Sequence, residues 1–243
     1  METEEKKPFL EHLEELRHRL IICILAVAAG FVISYFFSDR AFLILVRPLR
    51  QALPKGSEII FTNLPEMFVT YLKISLIMGI MLATPVIFYE FWKFVAPGLY
   101  QHEKRFIVPF VLSSCILFVG GAIFGYLVVF PFGFRFFLGF ANNYVKALPS
   151  VKQYFSFAIK LLIAFGIVFE LPVITYFFTK IGILTPDFLK KNRRYAVVII
   201  FTLAAIFTPP DVMTQIMMAI PLLLLYEVSI IVSKIAYAKK RKE

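Results

Sequence analysis

Three carboxylates stand where carboxylates are costly or out of pattern: Glu15, Glu103 and Glu170. Glu170 lies in the middle of an apolar run over 155–179. An ionisable side chain at bilayer depth is expensive, and by default it marks a functional position or a polar cavity. Glu103 follows the turn Phe94-Val95-Ala96-Pro97-Gly98-Leu99-Tyr100. A carboxylate beside Phe94 and Leu99 suits a ligand that carries a cation next to a hydrophobic segment. A guanidinium is the best such cation, because it pairs with a carboxylate through two parallel hydrogen bonds. The same stretch also reads as interfacial anchoring by Trp92 and Tyr100. Glu15 belongs to the segment Phe9-Leu10-Glu11-His12-Leu13-Glu14-Glu15-Leu16-Arg17. Leu10, Leu13, Leu16 and Leu20 fall near one helical face, with Glu11, Glu14 and Glu15 off it. This is a short helix on the membrane surface that leads into an apolar run. Its acids equally suit ordinary solvated pairs with Arg17, His18 and Arg19.

No catalytic constellation accompanies these acids. HExxH, GxSxG and P-loop patterns are absent, and no pair of aspartates lies inside an apolar run. His12, His18 and His102 form no metal-ligand spacing, and Cys23 and Cys115 sit inside apolar runs as small packing residues. No enzyme, cofactor or metal is expected. Asp211 and Gln215 flank the start of the last apolar run at an i,i+4 spacing. Asp211 can cap a helix there, with Gln215 one turn in on the same side.

The elements that must position these residues are membrane helices. The 243 residues are 60% hydrophobic and 17% charged, with a formal net charge of +10. A soluble domain is roughly half apolar and a quarter charged. Apolar runs between charges place six spans at about 20–37, 67–94, 106–134, 155–179, 195–207 and 213–233. The reading is one all-α, six-span membrane domain over 1–243, with an amphipathic entry over 1–19. Lys and Arg concentrate in the N-terminal segment, the 2–3 and 4–5 connections and the C-terminal tail. By the positive-inside rule both termini are therefore cytoplasmic. Most of the basic excess is then topological, and no nucleic-acid role is expected.

Prolines 85, 172 and 221 interrupt spans 2, 4 and 6, so the helices should be kinked and the bundle concave. Segments 38–66 and 135–154, with Pro48, Pro54, Pro65 and Pro149, should cap it on the outer side. Span 5 is about 20 Å long against a hydrocarbon core of about 30 Å. The turn Thr208-Pro209-Pro210-Asp211 returns the chain at once, so the fifth and sixth helices are expected to be short.

Four motifs, in order, resemble the TatC family, the multispan subunit of the twin-arginine protein translocase. They are FLEHLEELRHRL at the entry, FxxPGLYxxEK over 94–104, VFELPV over 168–173 and FTPPDVMTQ over 207–215. The resemblance implies a receptor in the prokaryotic cytoplasmic membrane that binds twin-arginine signal peptides of folded precursors. It implies partner subunits of the TatA and TatB type, an oligomeric receptor complex, and transport driven by the proton-motive force. By motif position, Glu15 and Glu103 would accept the two arginines, Phe94 and Leu99 would line the peptide surface, and Arg17 would shape the N-terminal site. Pro48 and Asp211 would serve outer-side structure and assembly, and Gln215 would contact single-span partners. Glu170 would be a polar point inside the concave face. An alternative function on the residues alone is a proton-coupled transporter of a small solute using Glu170. No inverted repeat between spans 1–3 and 4–6 favours it.

Overall fold

The computed structural model of the chain describes residues 2–54, 57–95, 107–141, 146–208 and 211–240, with 2–10 and 239–240 described by backbone alone. Among these residues every regular element is helical, and the one extended pairing is an isolated bridge between Ile60 and Ser150. The helices are α1 (Glu2–Tyr35), α2 (Ser38–Ala52), α3 (Glu66–Val95), α4 (Ile107–Phe124), α5 (Phe130–Leu138), α6 (Val151–Val168), α7 (Leu171–Ile181), α8 (Pro186–Lys191), α9 (Arg193–Phe207) and α10 (Val212–Lys240). Among the described residues five stretches are long and apolar enough to cross a membrane: Glu11–Tyr35, Glu66–Val95, Ile107–Leu138, Val151–Ile181 and Val212–Ala238. The chain forms two compact units, Met1–Phe37 with Ser75–Cys115, and Ser38–Ile74 with Ile116–Glu243.

In the first unit α1 packs antiparallel to α3. The two backbones touch at Gly30 and Gly79. A Cβ on Gly30 would lie 2.6 Å from the Gly79 carbonyl oxygen, and one on Gly79 would lie 2.6 Å from the Phe31 nitrogen. Only glycine permits that approach, which is how membrane helices pack when no side chain intervenes. Away from the crossing α1 is apolar on its outer face. Ile24, Leu25, Val32 and Ile33 are exposed there, as lipid-facing side chains should be. Further along α3, Trp92 is buried against Phe110 of α4, and its indole N–H donates to Ser114 Oγ at 3.0 Å.

The second unit holds most of the core, with Phe130, Phe155, Leu161 and Phe165 almost fully buried. Helix α2 packs on α5 and buries Ala41, Leu45, Pro48 and Leu49, a face repeating every three to four residues. Pro48 has no N–H to give the Ile44 carbonyl one turn earlier. The Tyr126 hydroxyl donates to that carbonyl instead, at 2.7 Å. The Tyr154 hydroxyl donates to the next one, on Leu45. The segment expected to cap the outer side contains an amphipathic helix, stabilised at its proline by a tyrosine from elsewhere in the chain.

Of the three prolines expected to interrupt spans, Pro172 coincides with a break, whereas Pro85 and Pro221 lie inside α3 and α10, which continue through them. Before Pro131 the helix widens into a π-helical turn, Gly125–Val129, and the Phe130 N–H reaches back to Gly125. Pro172 cannot serve the Val168 carbonyl, and α6 ends there. The chain turns at Phe169 and Glu170 and restarts as α7. Gly182, at φ 91°, closes α7 in the left-handed conformation. Helices α7 and α10 pack together and share a hydrogen bond between the buried hydroxyls of Thr179 and Ser233.

One length expectation is corrected. The sixth helix is not short, since α10 runs for 29 residues. Lys234 ends the apolar run but not the helix, because lysine is a good helix former and its ammonium extends to the membrane surface. Helix α9 has 15 residues, about 22 Å.

Candidate functional site

The face of α1 that meets α3 carries His12, Glu15 and Arg19, spaced by one turn each. Opposite them, near the end of α3, lie Glu90 and Phe94. The ring of His12 stacks on Phe94, with centroids 4.4 Å apart and an interplanar angle of 13°. Arg19 lies between two carboxylates. Its Nη2 and Nε donate to Glu15 Oε1 at 2.5 and 3.1 Å, and its Nη1 donates to Glu90 Oε2 at 2.7 Å. The Arg19 and Glu90 side chains are 12% and 10% exposed, whereas Glu15 is 36% exposed. Glu15 Oε2 faces His12 Nδ1 at 3.8 Å.

Two carboxylates share one guanidinium, so the cluster carries a surplus negative charge. Glu15 is the partly exposed member of the cluster. Phe94 supplies a half-buried aromatic surface alongside. Arg17 is exposed on the same helix. Leu99 and Glu103 lie outside the described residues.

The other residues singled out by sequence fall in the second unit. Glu170 is 5% exposed at the turn between α6 and α7. Its main chain links the two helices, with its N–H to Ile167 and its carbonyl from the Ile174 N–H. Asp211 caps α10. Its carboxylate accepts from the Thr214 N–H at 2.8 Å and from the Thr214 hydroxyl. Gln215 follows by one turn and donates from Nε2 to the Phe201 carbonyl of α9 at 3.0 Å, which ties the hairpin together. Pro48 is buried in α2.

Arg19 and Glu90 are absent from the site that the sequence predicts. A signal for Glu90 exists, since an acid inside a membrane-length apolar helix needs a partner. That partner is 71 positions away in sequence. Glu66, by contrast, gives no signal in the sequence. It is 4% exposed and its carboxylate accepts five hydrogen bonds. Thr62 N–H, Thr62 Oγ1 and Asn63 N–H donate to Oε2, and Ser150 Oγ and Lys152 N–H to Oε1. One side chain thus holds the turn before α3 and the start of α6.

Known proteins place this architecture. The family model described as Sec-independent protein translocase protein (TatC) matches residues 11–221. A TatC protein of Desulforapulum autotrophicum is 57% identical over 98% of this chain and 88% of its own length. The TatC protein of Escherichia coli is 38% identical over 99% of this chain and 93% of its own length. A crystal structure of the twin-arginine translocase receptor TatC aligns with a TM-score of 0.83 at 45% identity, covering 93% of this chain and 99% of that one. A second, in the detergent DDM, aligns with a TM-score of 0.82 at 44% identity, covering 90% and 98%. The family is one of translocase components and not of enzymes. With its membrane-length apolar helices and a match over most of its length, the chain belongs to the TatC family and is a multi-pass membrane component of the twin-arginine translocase.

Proposed function

We propose that the chain is the receptor for twin-arginine signal peptides, with Glu15 and Glu103 each accepting one arginine of the pair. The observation that carries this reading is the Glu15–Arg19–Glu90 cluster, in which two carboxylates compete for a single resident guanidinium. An incoming arginine satisfies the surplus charge. Phe94 and Leu99 offer the apolar surface that the hydrophobic part of a signal peptide needs after its charged part. Arg17, exposed on the same helix, shapes this N-terminal site.

The receptor lies in the prokaryotic cytoplasmic membrane with six spans and both termini on the cytoplasmic side, where precursors are made. The basic residues of the termini and of the 2–3 and 4–5 connections support this orientation. It assembles with single-span subunits of the TatA and TatB type into an oligomeric complex driven by the proton-motive force. Gln215 and the α9–α10 hairpin form the partner face, and Asp211 and Pro48 keep the outer-side segments in shape. Buried Glu170 acts after peptide binding, in insertion or partner coupling.

The test is direct. Purified protein in nanodiscs is titrated with a labelled Arg-Arg signal peptide and with its Lys-Lys counterpart. Glu15→Gln and Glu103→Gln should each weaken Arg-Arg binding at least tenfold, the order expected from losing a charge-assisted bidentate pair. Glu170→Gln should leave affinity unchanged. Photo-crosslinkers at positions 94 and 99 should capture the peptide. Wild-type affinity in both glutamine variants would sink the assignment.

A further inference from the structure

The turn before α3 and the start of α6 line an open cleft of about 560 Å³ within the second unit. Its wall includes Glu66, Lys73, Lys152, Leu64 and Val69. The two ammonium groups decide its chemistry. Among the described residues neither lysine ion-pairs with a carboxylate. Lys73 Nζ reaches only a neutral partner, Ser156 Oγ, at 3.0 Å. Glu66 offsets one of these two charges and not both, its carboxylate being held by five neutral donors. The lining therefore keeps a net positive charge.

The apolar part of the wall is as informative. Leu64 is 93% exposed and Val69 is 40% exposed beside these cations. A small aqueous anion would satisfy the lysines and leave Leu64 in water. An amphiphile satisfies both. Depth agrees with this. Lys73 is seven residues into α3, about 10 Å along the axis. Helical side chains lean toward the N-terminus, so its ammonium returns toward the headgroup layer at that end.

We propose that this cleft binds the headgroup of an anionic glycerophospholipid. The phosphate lies between Lys73 and Lys152, and Leu64 and Val69 pack against the glycerol and the first acyl methylenes. A bound lipid would then brace the turn that Glu66 holds.

Native mass spectrometry of the full chain in a neutral detergent reads this out. Phosphatidylglycerol, phosphatidylcholine and inorganic phosphate are titrated separately. Phosphatidylglycerol should bind more tightly than phosphatidylcholine. Lys152→Gln should weaken it about fivefold and Lys73→Gln/Lys152→Gln about thirtyfold, the scale of one and two basic contacts to anionic lipid. Lys73→Arg should keep binding, and Lys160→Gln, an exposed control on α6, should not change it. Lys152 has an exposed side chain, so its single variant serves if the double variant does not fold. Phosphatidylglycerol bound equally by wild type and the Lys152 variant overturns the proposal. So does inorganic phosphate that displaces the lipid at equal concentration, because the site would then be one for a free anion.

Discussion

Two buried carboxylates, one in each unit, are satisfied in opposite ways. Glu90 in the first unit has a long, charged side chain for a partner, Arg19, which also holds Glu15. Glu66 in the second is held by three main-chain N–H groups and two hydroxyls. A main-chain donor cannot leave without unfolding a turn or a helix start. A guanidinium on a flexible stem can rotate away when a competing cation arrives. The first arrangement suits exchange with a ligand, and the second suits a fastening.

The largest expected effect tests the fastening. Glu66→Ala strands five donors, and each buried unsatisfied donor is costly. Thermal unfolding in detergent should fall on the order of 10 °C, with peptide affinity unchanged in the fraction that remains folded. Glu90→Gln comes next. It removes one of two carboxylates from a mostly buried guanidinium and should lower the midpoint by about 5 °C. Arg19→Gln with Glu90→Gln should cost less than the two singles together, because neither then leaves a charge stranded. If the double costs the full sum, Arg19 and Glu90 are not coupled and the contrast with Glu66 fails.

A smaller effect extends the comparison to a carbonyl. Tyr126→Phe removes the donor to Ile44 and should cost about 1 kcal/mol. In a Pro48→Ala background that cost should vanish, because alanine at that position restores the missing N–H. A double-mutant cycle on unfolding free energies measures this. The smallest stability effect belongs to Glu15→Gln. Its side chain is partly exposed, so the midpoint should move by no more than about 2 °C while Arg-Arg peptide affinity drops at least tenfold. A large stability loss there would make Glu15 a fastening like Glu66.

The long helices are legible because a membrane span writes itself as an unbroken apolar run. The run at 67–94 is α3, Glu66–Val95, to within a residue at each end. Helix α2 is not legible. Arg40, Arg47 and Arg50 break its hydropathy and Pro48 argues against a helix, and the tyrosine that relieves the proline sits 82 positions away. The end of α10 is hidden because charge stops an apolar run without stopping a helix. Glu15 and Phe94 are reached through family motifs, and the structure brings their neighbourhoods together. Sequence shows Arg19 only as an intrahelical partner. Its second bond, to Glu90, depends on how α1 and α3 cross, which no local pattern records. The roles of Ser150 and Lys152 at Glu66 are hidden for the same reason, at separations of 84 and 86 residues.

The crossing at Gly30 and Gly79 makes the first unit a lever. With backbone on backbone there is no side chain to compress, so the point of contact is a fulcrum. Arg19 lies eleven residues from it, about 16 Å along α1. A tilt of about 5° between the helices displaces that end by about 1.4 Å, enough to take a hydrogen bond from its optimum to broken. Small rotations at the glycines are thereby amplified at the far end of α1, where the carboxylates share their guanidinium. A methyl group at either glycine would shift the fulcrum and reset the distance at which Arg19 and Glu90 meet.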